Sequence, residues 1–109
     1  MIVRIWTTGV DRMRVEEYRS FAAERSLPMF RDREGFLGVL FTEGDTYFAV
    51  LTFWKDRHSA EALESSPSYR ATVQAITQTG FLTGRQDVDV LEVRHGHFEE
   101  AVIEVFRES

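Results

Sequence analysis

Along this chain the hydrophobic positions switch between two periods, and the switches predict its elements. From Ile2 to Thr8, Val3 and Ile5 alternate with Arg4, and Trp6 shares Arg4's face, which is the period of a strand. From about Met13 to Arg33, Val15, Tyr18, Phe21, Ala22 and Phe30 recur among Glu16, Glu17, Arg19, Glu24 and Arg25 at the spacing of an amphipathic helix, with Asp11 as its N-cap. Pro28 has no amide proton to give, so a disturbance is predicted near Leu27, then a short helical stretch ending at Gly35. Phe36 to Thr42 reads as a second strand and Glu43-Gly44-Asp45 as a hairpin turn. The eight residues from Tyr47 to Trp54 form an almost unbroken apolar run that stops at Lys55-Asp56-Arg57. That is strand length, rich in aromatic and β-branched residues, and it predicts a strand buried on both faces.

A second helix is predicted from about Ser59 to Thr77, with Ala60, Leu63, Tyr69, Val73 and Ile76 inward and an interruption at Ser66-Pro67. Asp87 to Arg94 alternates as a fourth strand. The tail is open to two readings: Phe98, Ala101, Val102, Val105 and Phe106 fit a helical stripe, whereas Val102 to Phe106 is β-rich enough for an extra strand. The order β-α-β-β-α-β is the ferredoxin-like α+β arrangement, a four-stranded antiparallel sheet with both helices on one face. Its other face would carry an apolar half of strands two and three, so patterning alone predicts a homodimer that covers it. One domain is expected over residues 1–95, with 96–109 as a C-terminal extension at the dimer interface.

Composition narrows the partners. Eighteen acidic residues against thirteen Lys and Arg, a net charge of −5, oppose binding to a phosphate backbone, so no nucleic acid is expected. With no cysteine there is no disulfide framework, no Cys-based zinc site and no thiol nucleophile, which fits the cytoplasm. No stretch approaches the roughly 18 apolar residues of a membrane span, and Met1 to Trp6 lacks the features of a secretion signal, so a soluble chain with no membrane partner is expected.

Gly35-Phe36 opening strand two, Val50-Leu51-Thr52-Phe53-Trp54 closing strand three, and Ser68-Tyr69 in the following helix carry a family resemblance. Over roughly residues 1–95 the chain resembles the antibiotic biosynthesis monooxygenase domain family, a dimeric α+β barrel group. The resemblance implies an oxidoreductase that needs no cofactor. It matches the quinone-forming oxygenases of that family at Trp54, while the Asn before that Trp and the Tyr after it align with Val50 and Ala60 here. The haem-degrading branch uses an Asn, a Trp and a ligand His where this chain has Thr7, Leu63 and Val73, which makes haem degradation the weaker expectation.

Other chemistry is sparse. His95 and His97, two apart, would share a strand face and make half a metal site, against the plainer reading of a polar turn. His58 sits in a charged turn, and Asp87 and Asp89 share a face near solvent, so no metal is assigned. The aromatic load is heavier. Trp6, Tyr18, Phe21, Phe36, Tyr47 and Phe81 could line a cavity for a planar aromatic or apolar molecule, with Trp54, Tyr69 and Arg4 as the catalytic candidates and Arg4 holding an enolate or phenolate. Three functions are compatible with this pattern: a cofactor-independent monooxygenase acting on a small electron-rich aromatic or quinol-like substrate, which leads; a non-catalytic small-molecule-binding module; and a haem or metal protein.

Overall fold

Strand β1 (Ile2–Val10) is one of the two interior strands of the sheet. It pairs antiparallel with β3 (Phe48–Trp54) on one side and with β4 (Leu82–Glu92) on the other, and β3 pairs outward with β2 (Phe36–Glu43). The computed structural model describes residues 1–107. Its order β2-β3-β1-β4, all antiparallel, is the ferredoxin-like α+β arrangement that the patterning predicts.

Register sorts the side chains into two faces. Ile2, Arg4, Trp6 and Thr8 stand opposite Trp54, Thr52, Val50 and Phe48, and these point toward the helices. Val3, Ile5, Leu51 and Phe53 point the other way, joined by Leu40 and Leu91 from the flanking strands. The helix-free face is therefore apolar where Val3 meets Phe53 and turns polar toward Asp87 and Thr42.

The first helical segment departs from expectation in an informative way. Asp11 accepts a bond from Met13 N, but it caps a single 3₁₀ turn, Arg12–Arg14, before α1 (Val15–Phe21). A π-helical turn follows at Ala22–Ser26, and α2 (Leu27–Arg31) continues without a break. Leu27 N donates five residues back, to Ala22 O. Pro28 cannot donate and crowds the carbonyl four residues earlier, and the chain absorbs both defects by widening the preceding turn. The expected short helical stretch is α2, which ends at Arg31 rather than Gly35, and residues 32–35 form a turn; Gly35 has φ +79°, and a Cβ there would run into the Ser59 side chain.

Three other boundaries shift. Tyr47 belongs to the hairpin loop, where Gly44 N donates to Tyr47 O, and is 56% exposed. Ser66-Pro67 splits the second helical region fully into α3 (Arg57–Ser65) and α4 (Pro67–Gln78). Asp56 caps α3 through Ser59 N and Ser66 caps α4 through Tyr69 N. β4 starts at Leu82 rather than Asp87, because past a bulge Thr83 and Leu82 still pair with Gly9 and Val10. The tail forms α5 (Glu100–Arg107), none of whose residues is buried; Glu108 and Ser109, the end of the expected extension, lie outside the described residues.

The core divides in two. Ile2, Met29, Phe30, Val50, Trp54, Ala60 and Leu63 form one cluster, and Val10, Tyr18, Phe48, Ile76 and Phe81 the other. Trp6 packs against both.

Candidate functional site

Between the two clusters the core leaves a cavity. Arg4, Trp6, Phe41 and Val50 on the sheet make its floor; Tyr18, Ala22, Ser26, Met29 and Phe30 make one wall, and Tyr69, Thr72, Val73 and Ile76 on α4 the other. It is a cavity of about 50 Å³, partly open to solvent, with an almost wholly apolar lining. The π-turn contributes Ala22 and Ser26 to the wall, so the helix is widened where it borders the cavity.

Five polar side chains interrupt the apolar lining: Arg4, Tyr18, Ser26, Tyr69 and Thr72. Arg4 is only 4% exposed. Its Nη2 donates to Tyr69 Oη at 2.9 Å and to Glu64 Oε1 at 3.2 Å, while its Nε has no hydrogen-bond partner. The guanidinium carbon also lies 5.3 Å from the Tyr69 ring centroid, within cation–π range. Tyr18, 3% exposed, likewise has a hydroxyl without a partner. Burial, with the nearby Glu43 carboxylate adding to it, pushes the Tyr18 phenol up to about 12, so it is a neutral donor at any physiological pH.

Buried polar atoms are normally satisfied, and leaving one unmade costs about 1 to 3 kcal/mol. Two of the three such atoms found among the described residues belong to side chains that line this cavity; the third is Arg33 Nε. The carboxylates nearby are occupied at the rim. Glu64 is bound to Arg4, is 62% exposed and is not part of the lining. Glu43 is held by Arg19, whose hydrogen bond keeps its carboxyl below the usual range.

The fold can be compared with solved structures. A monooxygenase from Streptomyces coelicolor, ActVA-Orf6, in complex with nanaomycin D, superposes with a TM-score of 0.77 at 16% identity, over 91% of this chain and 92% of that one. A mutant of SnoaB, a cofactor-independent oxygenase from Streptomyces nogalater, gives 0.72 at 16% identity, over 90% and 97%. An antibiotic biosynthesis monooxygenase gives 0.69 at 12% identity, over 87% and 100%. The fold is that of the antibiotic biosynthesis monooxygenases. At such identities the likeness extends to architecture alone, and no protein-family model and no curated protein matches the chain.

On this antibiotic-monooxygenase fold the residues singled out from sequence separate. Arg4, Trp6, Tyr18 and Tyr69 come together in the cavity. Trp54, Phe21, Phe36, Tyr47 and Phe81 do not line it. Trp54 is 0% exposed, edge-on to Phe36, with its Nε1 donating to Thr52 Oγ1 at 2.8 Å. Thr52 stands opposite Arg4 in the sheet, so the indole braces the strand beside the guanidinium. Phe21 and Phe81 pack against each other and belong to the second cluster. His95 and His97 lie in the exposed stretch between β4 and α5, and His97 pairs with Glu99. Phe41, Met29 and Phe30 were missed by the sequence reading; their place at the cavity follows from packing of β2 and α2, which no local pattern encodes.

Proposed function

We propose that this chain binds a small, flat, electron-rich aromatic in the cavity and oxidises it with O₂ without a cofactor. The observation that carries this reading is Arg4, a buried cation with an unpaired Nε on the floor of an apolar cavity. A developing enolate or phenolate oxygen placed there is stabilised by a fixed charge in a low-dielectric site. The overall change, CH₂ + O₂ → C=O + H₂O at the substrate, balances with four electrons drawn from the substrate carbon. One oxygen atom enters the carbonyl and the other leaves as water, so no flavin, haem or metal has to supply electrons. Architecture supports the assignment, since the comparable solved structures include oxygenases. Arg4, Tyr69 and Tyr18 are the polar groups assigned to the substrate, Trp6 to its ring face, and Trp54 to bracing Arg4's strand.

O₂ uptake with anthrone-like and hydroquinone-like substrates in metal-free buffer tests it, wild type beside Arg4→Met. Uptake above the buffer rate that Arg4→Met abolishes is expected. Uptake no faster than buffer from a folded protein would leave the second reading, a non-catalytic binding module. That reading is favoured by one observation: among the described residues the lining holds neither carboxylate nor imidazole.

We further propose that a second copy covers the helix-free face and makes the chain a homodimer. Val3, Ile5, Leu40, Leu51, Phe53 and Leu91 form one continuous patch there by strand register, of the kind that marks an interaction surface. The apolar stripe of α5, with Val102, Ile103, Val105 and Phe106 exposed, is assigned to the same assembly.

A further inference from the structure

We propose that the cavity takes its ligand already ionised, as the anion of an acidic phenol or enol, and that no group of the protein removes that proton. The inference rests on the small-molecule reading above and narrows its substrate class.

Its basis is the inventory of donors and acceptors around the cavity. Arg4 Nε can only donate and is unpaired. Tyr18 Oη is unpaired, and its phenol stays protonated, so it too is there to donate. Tyr69 Oη already accepts from Arg4 and keeps its own proton to give. Among the described residues the lining offers no carboxylate and no imidazole; the Thr72 hydroxyl gives its proton to Ser68 O and so can only accept, and Ser26 adds a second neutral hydroxyl. A pocket whose one charged group is a buried cation, beside two phenols that can donate, fits an oxygen that carries negative charge, and it leaves a cationic ligand without a partner of opposite charge.

The same inventory removes the general base. The groups facing Arg4 are Tyr69 from α4 and Glu64 from α3, and Glu64 is bound to the guanidinium at the solvent side. From α1 the cavity receives Tyr18, whose nearest carboxylate, Glu43, is tied to Arg19. A ligand proton therefore has no acceptor inside and passes to water before the ligand seats. Compounds acidic enough to ionise near neutral pH are favoured over the more weakly acidic anthrones and hydroquinones: a hydroxyl conjugated to a quinone carbonyl, or the enol of a 1,3-dicarbonyl. The flat walls of Trp6, Phe30 and Phe41 suit the conjugated ring such acidity requires.

The probe is 2-hydroxy-1,4-naphthoquinone, whose anion is coloured, compared with its O-methyl ether, a neutral compound of the same shape. Wild-type protein is expected to bind the acid at least about tenfold tighter than the ether. The visible band of the bound anion should persist at least about one pH unit lower than in free solution, a shift of one pKa unit being about 1.4 kcal/mol of preference for the charged form. Arg4→Met is expected to abolish the shift, and Tyr18→Phe to weaken binding about fivefold while retaining it. Equal affinity for acid and ether, a bound ligand whose ionisation moves upward, or no binding of either compound overturns the proposal, and the wild-type comparison decides this without any variant. Turnover is separable: a depressed ligand pKa without O₂ uptake sinks the oxygenase reading and supports this one, whereas O₂ uptake by a ligand bound neutral does the reverse.

Discussion

Arg4 and Tyr69, 65 residues apart in sequence, meet twice, through a 2.9 Å hydrogen bond from Nη2 to Oη and through the guanidinium lying 5.3 Å from the phenol ring centre. The contact joins the central strand to α4 across the cavity. It holds the guanidinium so that Nη2 is used and Nε is left free. Such an arrangement costs stability, since burying a cation is compensated only partly by a half-exposed Glu64 and a neutral phenol. The predictions below separate what these groups do for folding from what they do for a ligand.

Arg4→Met replaces a buried cation by an apolar chain of similar reach. Removing buried charge in this way is often neutral or stabilising, so the urea midpoint is expected within about 1 kcal/mol of wild type while anion binding is lost. Glu64→Gln should act oppositely on the ligand. It frees the guanidinium from a competing carboxylate and is expected to tighten anion binding about two- to threefold in a fluorescence titration, with little change in stability because the Glu64 carboxylate is 62% exposed and screened by solvent. Weaker binding by Glu64→Gln would show that the carboxylate positions Arg4 rather than competing for it.

Tyr18 gives a pH signature. Its phenol is pushed from 10.0 to about 12 in the folded protein. Below the unfolded value the hydroxyl is protonated in both states and its contribution is whole. Between about pH 10 and 12 the unfolded chain releases the proton and the native state retains it, so stability falls as pH rises, by roughly 2 to 3 kcal/mol in all. Tyr18→Phe should remove that portion of the alkaline loss. At pH 7 the same variant is expected to be as stable as wild type or more stable by about 1 kcal/mol, because the lost hydroxyl has no partner. Urea denaturation at pH 7, 10 and 11.5 measures both.

Trp54→Phe tests bracing against contact. The indole is fully buried and bonded to Thr52, so truncation should cost roughly 2 to 3 kcal/mol. Ligand affinity of the folded fraction should be unchanged. Lost affinity at undiminished stability would place the ring at the ligand.

The assembly is tested by two aspartates on one strand. Leu51→Asp, on the helix-free face, is expected to give a folded monomer in sedimentation at micromolar concentration. Val50→Asp, one residue away, points into the core and should unfold the chain instead. Phe48 shares Val50's side of the sheet, so neither of them reports on the partner. Monomeric wild type would overturn the dimer outright.

The sequence by itself determined the element order, the sheet's two faces and the interruption at Ser66-Pro67, because period, turn residues and proline act over a few neighbours. It also placed Arg4 and Trp6 on one face of β1, a matter of alternation alone. Tertiary structure decided the rest. Leu82 to Gln86 are too polar to read as strand, yet β1 supplies the partner that makes them one. Pro28 predicted a disturbance near Leu27, and the fold gave it the form of a π-turn that leads into α2, whose Met29 and Phe30 pack into the core. Tyr18, Tyr69 and Arg4 come from three elements, and only the gap between two core clusters sets them around one cavity. Trp54 carries the strongest local signal in the chain, yet it ended in the core. A residue's type limits what chemistry it can do, but whether it faces a cavity depends on neighbours that are distant in sequence.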